Sequence, residues 1–367
     1  AVGDFSCRYP WQILTTTAVI VVVAVFFVVQ IRFSHHPRSW FRPVNPSRGD
    51  TGKVDHPRRG GHSREVGLDS GRENGLYNPD LLERLEAAGT EMEATTDGDL
   101  FVGKAWSVTT ILKEIHQALN ENREAFYAIP DDHDLVAQEF LLFENSGSDD
   151  LEDVVDTPFS KARLTLKVPF LDAVGYAGLL EKARVYFDAH FPDAEVKFTG
   201  MMYLLCTTIT NAIHTMARSY ITALVVITLL MILLIGKVKI GLLSMIPHLT
   251  PLLLMLGLIG ATPLTLDLFT MMVASIAIGL AVDDTIHFMH NFRRYFEESG
   301  DPVQAVHETL STTGRAMLVT TVVLAIAFFI YSFATMANII NFGLLTSFTI
   351  LMALLADYLI APALMVV

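Results

Sequence analysis

The 367 residues are 51% hydrophobic and only 18% charged, with a formal net charge of −13 at pH 7. That balance excludes an ordinary soluble domain, and the acidic sign leaves no basic footprint for nucleic acid. The charge is also segregated: Arg32 to Thr210 carries 30 acidic and 19 basic residues, so 11 of the 13 net negative charges sit there. The rest is nearly charge-free, which points to a membrane protein with one large acidic domain outside the bilayer.

In chain order, the first predicted element is the apolar run Ile13–Ile31, about the length that crosses a bilayer core. It is long for the apolar part of a signal peptide, and the "FSHHPRSW" after it offers no small-residue cleavage site. Residues 1–31 are therefore read as a first span. Residues 32–210 follow as the extramembrane domain. Its opening stretch, 34–75, is rich in Pro, Gly, Arg and His and reads mainly as loop, with one short strand near Arg64–Leu68. Order returns at Asn78-Pro79, a helix cap and first residue leading into "DLLERLEAAGTEME". Ser107 can cap "VTTILKEIHQALN", and Asp131 or Asp132 can cap "HDLVAQEFLLFE". The strict alternation of "ARLTLKV" predicts a strand, followed by a helix through "LLEKARVYFDAHF" and a strand at "AEVKFTG". These make an α+β module. The acidic runs at 131–134 and 148–153 lack the ligand spacing of a calcium loop and read as caps and solvated charge.

Residues 211–367 hold five more apolar runs: Tyr220–Gly236, Ile240–Gly260, Leu266–Met289, Ala316–Phe333 and Ile339–Val367, with a short cytoplasmic helix about 293–314. Lys237 and Lys239 fall between the second and third, and Arg293, Arg294 and Arg315 between the fourth and fifth. The opposite loops, "ATPLT" and "ATMAN", carry no basic residue. Positive loops stay in the cytoplasm, which puts 32–210 outside, and Cys7 and Cys206 on opposite sides of the membrane. With no initiator Met and an end inside an apolar run, the chain reads as a fragment or half of something larger.

The fourth run contains "IGLAVDDTIHFMHNFRR", Ile278–Arg294, with two adjacent carboxylates inside a span. Each costs about 2.5–3.5 kcal/mol near the bilayer centre on insertion scales. Asp283 and His287 are four apart and Asp284 and His287 three apart, so either aspartate can reach His287. Buried, they can load and release protons; alternatively they cap or bond a neighbouring helix, or with further ligands hold a metal. His287 is either a proton acceptor or the partner that fixes one Asp, and His290 belongs at the interface. Gly279, one turn before Asp283, leaves room for another helix to approach. Thr320 and Thr321 are candidate hydroxyl partners for the carboxylates, or bond their own helix backbone.

"GLAVDDTIHF" with "LDLFT" before it, then "HETLSTTGRAMLVTT" and "NFGLLTSFTILMALLADYLIAPAL", resembles the resistance–nodulation–division (RND) superfamily, in its MMPL-like branch related to Patched and Dispatched. "KIGLLSMIPHLTPLLL" and "VKFTGMMYLL" match the same pattern, which covers nearly all of the chain from Gly75. The resemblance implies a membrane α-helical bundle of six transmembrane helices with an inserted extracytoplasmic α+β porter-type domain. It implies one six-span half of a two-half, twelve-span protein, the C-terminal half of a longer chain or a half-size protein that dimerises. It further implies a proton-motive-force-driven exporter of a hydrophobic or lipid-like substrate in a bacterial inner membrane. The Asp283/Asp284 pair would carry the proton, with no cofactor, no metal and no enzymatic activity, and a periplasmic adaptor as a further partner. The other reading is a non-transporting lipid sensor or scaffold of the same fold. Two departures stand out. His248 occupies a position where the family commonly has Asn, expected to leave the coupling site intact. The basic, Gly-rich 56–64 replaces a smoother strand-forming stretch, which affects the early porter fold.

Overall fold

A computed structural model describes residues 2–34, 36, 40–41, 62–98, 100–148, 150–169, 171–172 and 175–367. Most of the 34–75 loop expectation, including the unusual 56–61, lies outside the described residues. The chain divides into two compact units, one of Ala1–His35, Ser39–Pro43 and Asn211–Val367, the other of His36–Arg38 and Val44–Thr210.

The second unit holds a four-stranded sheet and four main helices. Its strands are β1 (His62–Asp69), β2 (Lys104–Trp106), β3 (Lys161–Val168) and β4 (Glu195–Thr199), in the order β2-β3-β1-β4 and all antiparallel. The stretch near Arg64–Leu68 is thus the core of an interior strand paired on both sides. The alternation of β3 puts Ala162, Leu164, Leu166 and Val168 on one buried face. Opposite Leu164 and Ala162, β1 contributes Val66 and Leu68, each 1% exposed. The other face carries cross-strand ion pairs, Arg163–Glu65 at 3.8 Å and Lys161–Asp69 at 3.5 Å. This polar-out, apolar-in pleat requires helices on one side only.

The helices are α1 (Pro79–Ala94), α2 (Val108–Leu119), α3 (His133–Glu144) and α4 (Tyr176–His190). Their starts follow from capping chemistry. Asn78 Oδ1 accepts from the Asp80 amide at 3.0 Å, Ser107 Oγ from Thr109, and Asp132 Oδ1 from Asp134 at 2.7 Å and Leu135 at 3.3 Å. Asp132, not Asp131, is the cap. Leu82, Leu85, Ala88 and Met92 of α1 bury one stripe at helical spacing, joined by Leu112, Phe140 and Phe187 in one core. Inside this core, His116 Nδ1 of α2 lies 2.6 Å from Glu139 Oε1 of α3, and Glu139 is 2% exposed.

Among the described residues, the first unit contains six helical segments long and apolar enough to cross a membrane: Pro10–Val28, Met201–Ile235 (its first turns belong to the other unit), Val238–Ala261, Leu268–Ser299, Pro302–Phe333 and Ala337–Val366. They are called the first to sixth spans below. Half of the apolar window is buried in the third, fourth and sixth spans, against 11%, 6% and 17% in the first, second and fifth. Three spans therefore form the interior and three present apolar surface outward, the pattern expected when lipid is the solvent.

Local sequence explains the irregularities of the inner spans. Asp267 begins the fourth with a capping box to Thr270, and Gly300, at φ 68°, ends it in the left-handed conformation that glycine adopts without strain. Pro247 and Pro251 remove two amide donors one turn apart in the third. In the sixth, Pro362 follows a π-helical turn at Ala356–Ile360. A proline there leaves the carbonyl four residues earlier, that of Tyr358, without its helical donor, and Ser6 Oγ lies 3.1 Å from that oxygen. The first and third spans approach closely at glycine: a Cβ on Gly257 would stand 2.8 Å from Ala24 Cα, and one on Gly260 would collide with the Phe27 carbonyl.

Candidate functional site

The fourth span is two-faced. Ala274, Ala277, Ala281, Asp284, Thr285 and Phe288 are buried, spaced three and four apart, while Ser275, Gly279, Asp283, His287 and His290 are exposed. Adjacent residues diverge by about 100° around a helix, which sends the two aspartates to different environments. Asp284 is 8% exposed. The Asp283 side chain is 73% exposed and stands 3.5 Å from His287 Nε2, whose side chain is 62% exposed.

This splits the constellation expected from spacing. His287 pairs with Asp283 on the outward face, and Asp284 turns inward to a different set of partners. Among the described residues nothing lies within 4 Å of a Cβ built on Gly279, so the close helix approach expected there is not made within this chain. The reason is its place on the outward stripe with Asp283 and His287; the close approach is made instead at Gly257 and Gly260. Of the two threonines, Thr320 bonds its own helix, at 3.2 Å to the Ala316 carbonyl and 3.0 Å to that of Met317. Thr321 is buried on the side of the fifth span that faces Asp284, with its hydroxyl directed at that carboxylate but outside ordinary hydrogen-bond geometry.

The inner face brings in residues that spacing within one span does not reveal. Thr285, fully buried, donates its hydroxyl to Asp357 Oδ1 of the sixth span at 2.7 Å. His248 Nδ1 of the third span lies 3.1 Å from the same hydroxyl oxygen. Asp357 is 1% and His248 6% exposed. His248, the departure from the family's common Asn, thus contacts Thr285 next to Asp284, from a position in the third span between Pro247 and Pro251. The π-turn carrying Asp357 sets this carboxylate inward, a placement such turns commonly serve.

Apolar clusters close the site along the span axis. Met271, Val273 and Ala274 of the fourth span pack with Met255 and Ile259 of the third and Leu345 of the sixth. Phe288 and Met289 pack with Met245, Met317 and Leu354. In the third and fourth spans His248, Asp284 and Thr285 fall between these layers. Three polar atoms there, His248 Nε2, Asp357 Oδ2 and Thr321 Oγ1, are buried with no hydrogen-bond partner. Each such atom costs about 1–3 kcal/mol.

Arg293, at the cytoplasmic end expected for this span, donates from Nη1 to the Leu234 carbonyl at 3.2 Å and pairs with Glu297 at 2.8 Å. It thereby serves the carbonyls left open at the end of the second span.

Residues 189–366 match the AcrB/AcrD/AcrF family. A protein of Methanocaldococcus jannaschii, named only as a membrane protein, is 28% identical over 156 residues, covering 41% of this chain and 39% of that protein. The chain thus spans about two fifths of the length of the curated relative it matches. The matched segment contains the second to sixth spans and every residue of the buried layer. Over residues 189–366 this multi-pass membrane protein is therefore similar to the AcrB/AcrD/AcrF family of the RND superfamily, whose members are transporters.

Proposed function

We propose that the chain is one half of a proton-driven exporter, of the MMPL-like type, for a hydrophobic or lipid-like substrate. Asp284 is the proton-carrying carboxylate at its centre. The observation that carries this reading is the burial of Asp284 within a membrane span, facing the Thr321 hydroxyl and beside a second buried acid, Asp357. A carboxyl buried in a span beside a hydroxyl and a second acid can exist neutral or charged with little rearrangement, which a proton carrier requires. Asp283 and His287 act from the outward stripe, where a second half, in the same longer chain or another copy, would complete their surroundings. The 32–210 region handles substrate on the extracytoplasmic side, the side that the basic cytoplasmic loops leave to it, and is where a periplasmic adaptor would attach. The membrane is the bacterial inner membrane.

The experiment is substrate-independent at first: full-length protein in proteoliposomes under an imposed pH gradient, then transport of lipid-like probes with Asp283→Asn and Asp284→Asn singly and together. Loss of gradient-driven transport in the double variant is the expected result. Undiminished transport would overturn the assignment, and failed membrane assembly with intact transport in the assembled fraction would favour a structural role.

A further inference from the structure

We propose that His248, Thr285 and Asp357 form a proton relay across the third, fourth and sixth spans, with Asp357 a second proton-holding carboxyl beside Asp284. This rests on the proton-coupled reading and extends it to residues on two further spans.

The hydrogen-bond directions carry the inference. With Asp357 ionised, the single Thr285 proton is given to Asp357 Oδ1 at 2.7 Å, so at 3.1 Å His248 donates from Nδ1 to Thr285 Oγ1. In that state the neutral ring is the Nδ1–H tautomer, with a bare lone pair on Nε2, which is buried and unpartnered. The far end, Asp357 Oδ2, is also buried and unpartnered. The chain is satisfied at every internal atom and open at both termini. A purely structural network closes its ends, since those ends are where burial costs most.

Uptake balances as follows. A proton binds the Nε2 lone pair and makes the ring cationic. Its Nδ1 proton passes to Thr285 Oγ1, which releases its own proton to Asp357 Oδ1. The ring ends neutral with its hydrogen on Nε2, the hydroxyl is restored, and the carboxylate has become an acid. One proton is gained and one negative charge removed. Afterwards Asp357 donates to Thr285 and Thr285 donates to Nδ1, through the same atoms, so the exchange needs no rotamer change. The titratable group facing the relay is Asp284, whose charge acts on Asp357 and on Tyr358, the latter's hydroxyl being held by the Gly314 carbonyl. Asp283 and His287 point away on the exposed stripe.

The test uses the full-length protein reconstituted in vesicles with a trapped pH dye. Thr285→Val keeps shape but breaks the relay; Thr285→Ser restores the hydroxyl. Proton uptake should fall at least about tenfold in the valine variant, equivalent to ~1.4 kcal/mol, and return in the serine variant. Infrared difference spectra on acidification provide a transport-independent arm: a protonated-carboxyl band should vanish in Asp357→Asn and appear more slowly in Thr285→Val. Wild-type uptake in Thr285→Val, or a carboxyl band unaltered in Asp357→Asn, overturns the relay. If the wild type takes up no protons under a gradient, the transport reading fails, and the infrared arm alone then decides the relay.

Discussion

Replacing His116 with Ala in the extramembrane unit isolates the worth of one buried pair. Glu139 is 2% exposed, its Oε1 is held by His116 at 2.6 Å, and its Oε2 has no hydrogen-bond partner. Deleting the imidazole leaves a buried carboxyl with neither oxygen bonded and opens a small cavity between α2 and α3. Leaving a buried polar group without its hydrogen-bond partner costs about 1–3 kcal/mol, and more where that group is charged. For a unit of this size each kcal/mol moves the melting temperature by about 2–4 °C, so the shift should be roughly 2–12 °C or more. Replacing both members by apolar residues, His116→Phe with Glu139→Leu, removes the unpaired group and should recover most of the loss. Pulse proteolysis of the purified full chain, scored at sites between 80 and 200, reads the extramembrane unit directly. A single variant within about 0.5 kcal/mol of wild type, the usual range for a surface substitution, would refute the reasoning.

Two further outcomes follow from the same geometry. Gly260→Val sets a side chain against the Phe27 carbonyl, a backbone atom that cannot rotate away, so thermal stability in detergent should drop by about 1–3 kcal/mol or more; Gly279→Ala, with open space around it, should leave that stability unchanged. The Arg84 guanidinium, bonded to Asp193 at 3.0 and 3.1 Å, holds that carboxyl below its ordinary value of 3.8. A depressed carboxyl stabilises the fold above its unfolded pKa and loses that contribution as the pH falls through its folded one. The acid-side decline in stability below about pH 4 should accordingly be shallower in Arg84→Met, measured by denaturant titration across pH.

Much of this architecture can be read along the chain because it depends on neighbours in sequence. Six helices long and apolar enough to cross a membrane follow from run length alone. Asn78 and Ser107 announce their helices through a local hydrogen bond, and the alternation of Leu164, Leu166 and Val168 identifies a buried strand face. The site is different. Spacing three or four apart says that Asp283 and Asp284 can both approach His287, but not which flank of the helix the other spans cover. A clue was present: Asp284 and Thr285 share a stripe with Ala277, Ala281 and Phe288, whereas Asp283 shares one with Gly279 and His287. Cross-span pairing leaves no such trace, although Asp357 stands out as the other acidic residue well inside a span. Thr285 looks like any helix threonine, and Asp357 and His248 lie 72 and 37 residues from it. Only Pro247 and Pro251, bracketing His248, hinted that the backbone there was shaped for a purpose.

The central claim is that the buried carboxylate, and not the exposed one, carries the proton. Proton uptake by reconstituted full-length protein under an imposed pH gradient, compared between Asp284→Asn and Asp283→Asn, tests it most directly. The account predicts uptake abolished in Asp284→Asn and retained in part in Asp283→Asn, where the buried layer is untouched. Full uptake in Asp284→Asn, with loss confined to Asp283→Asn, would contradict it.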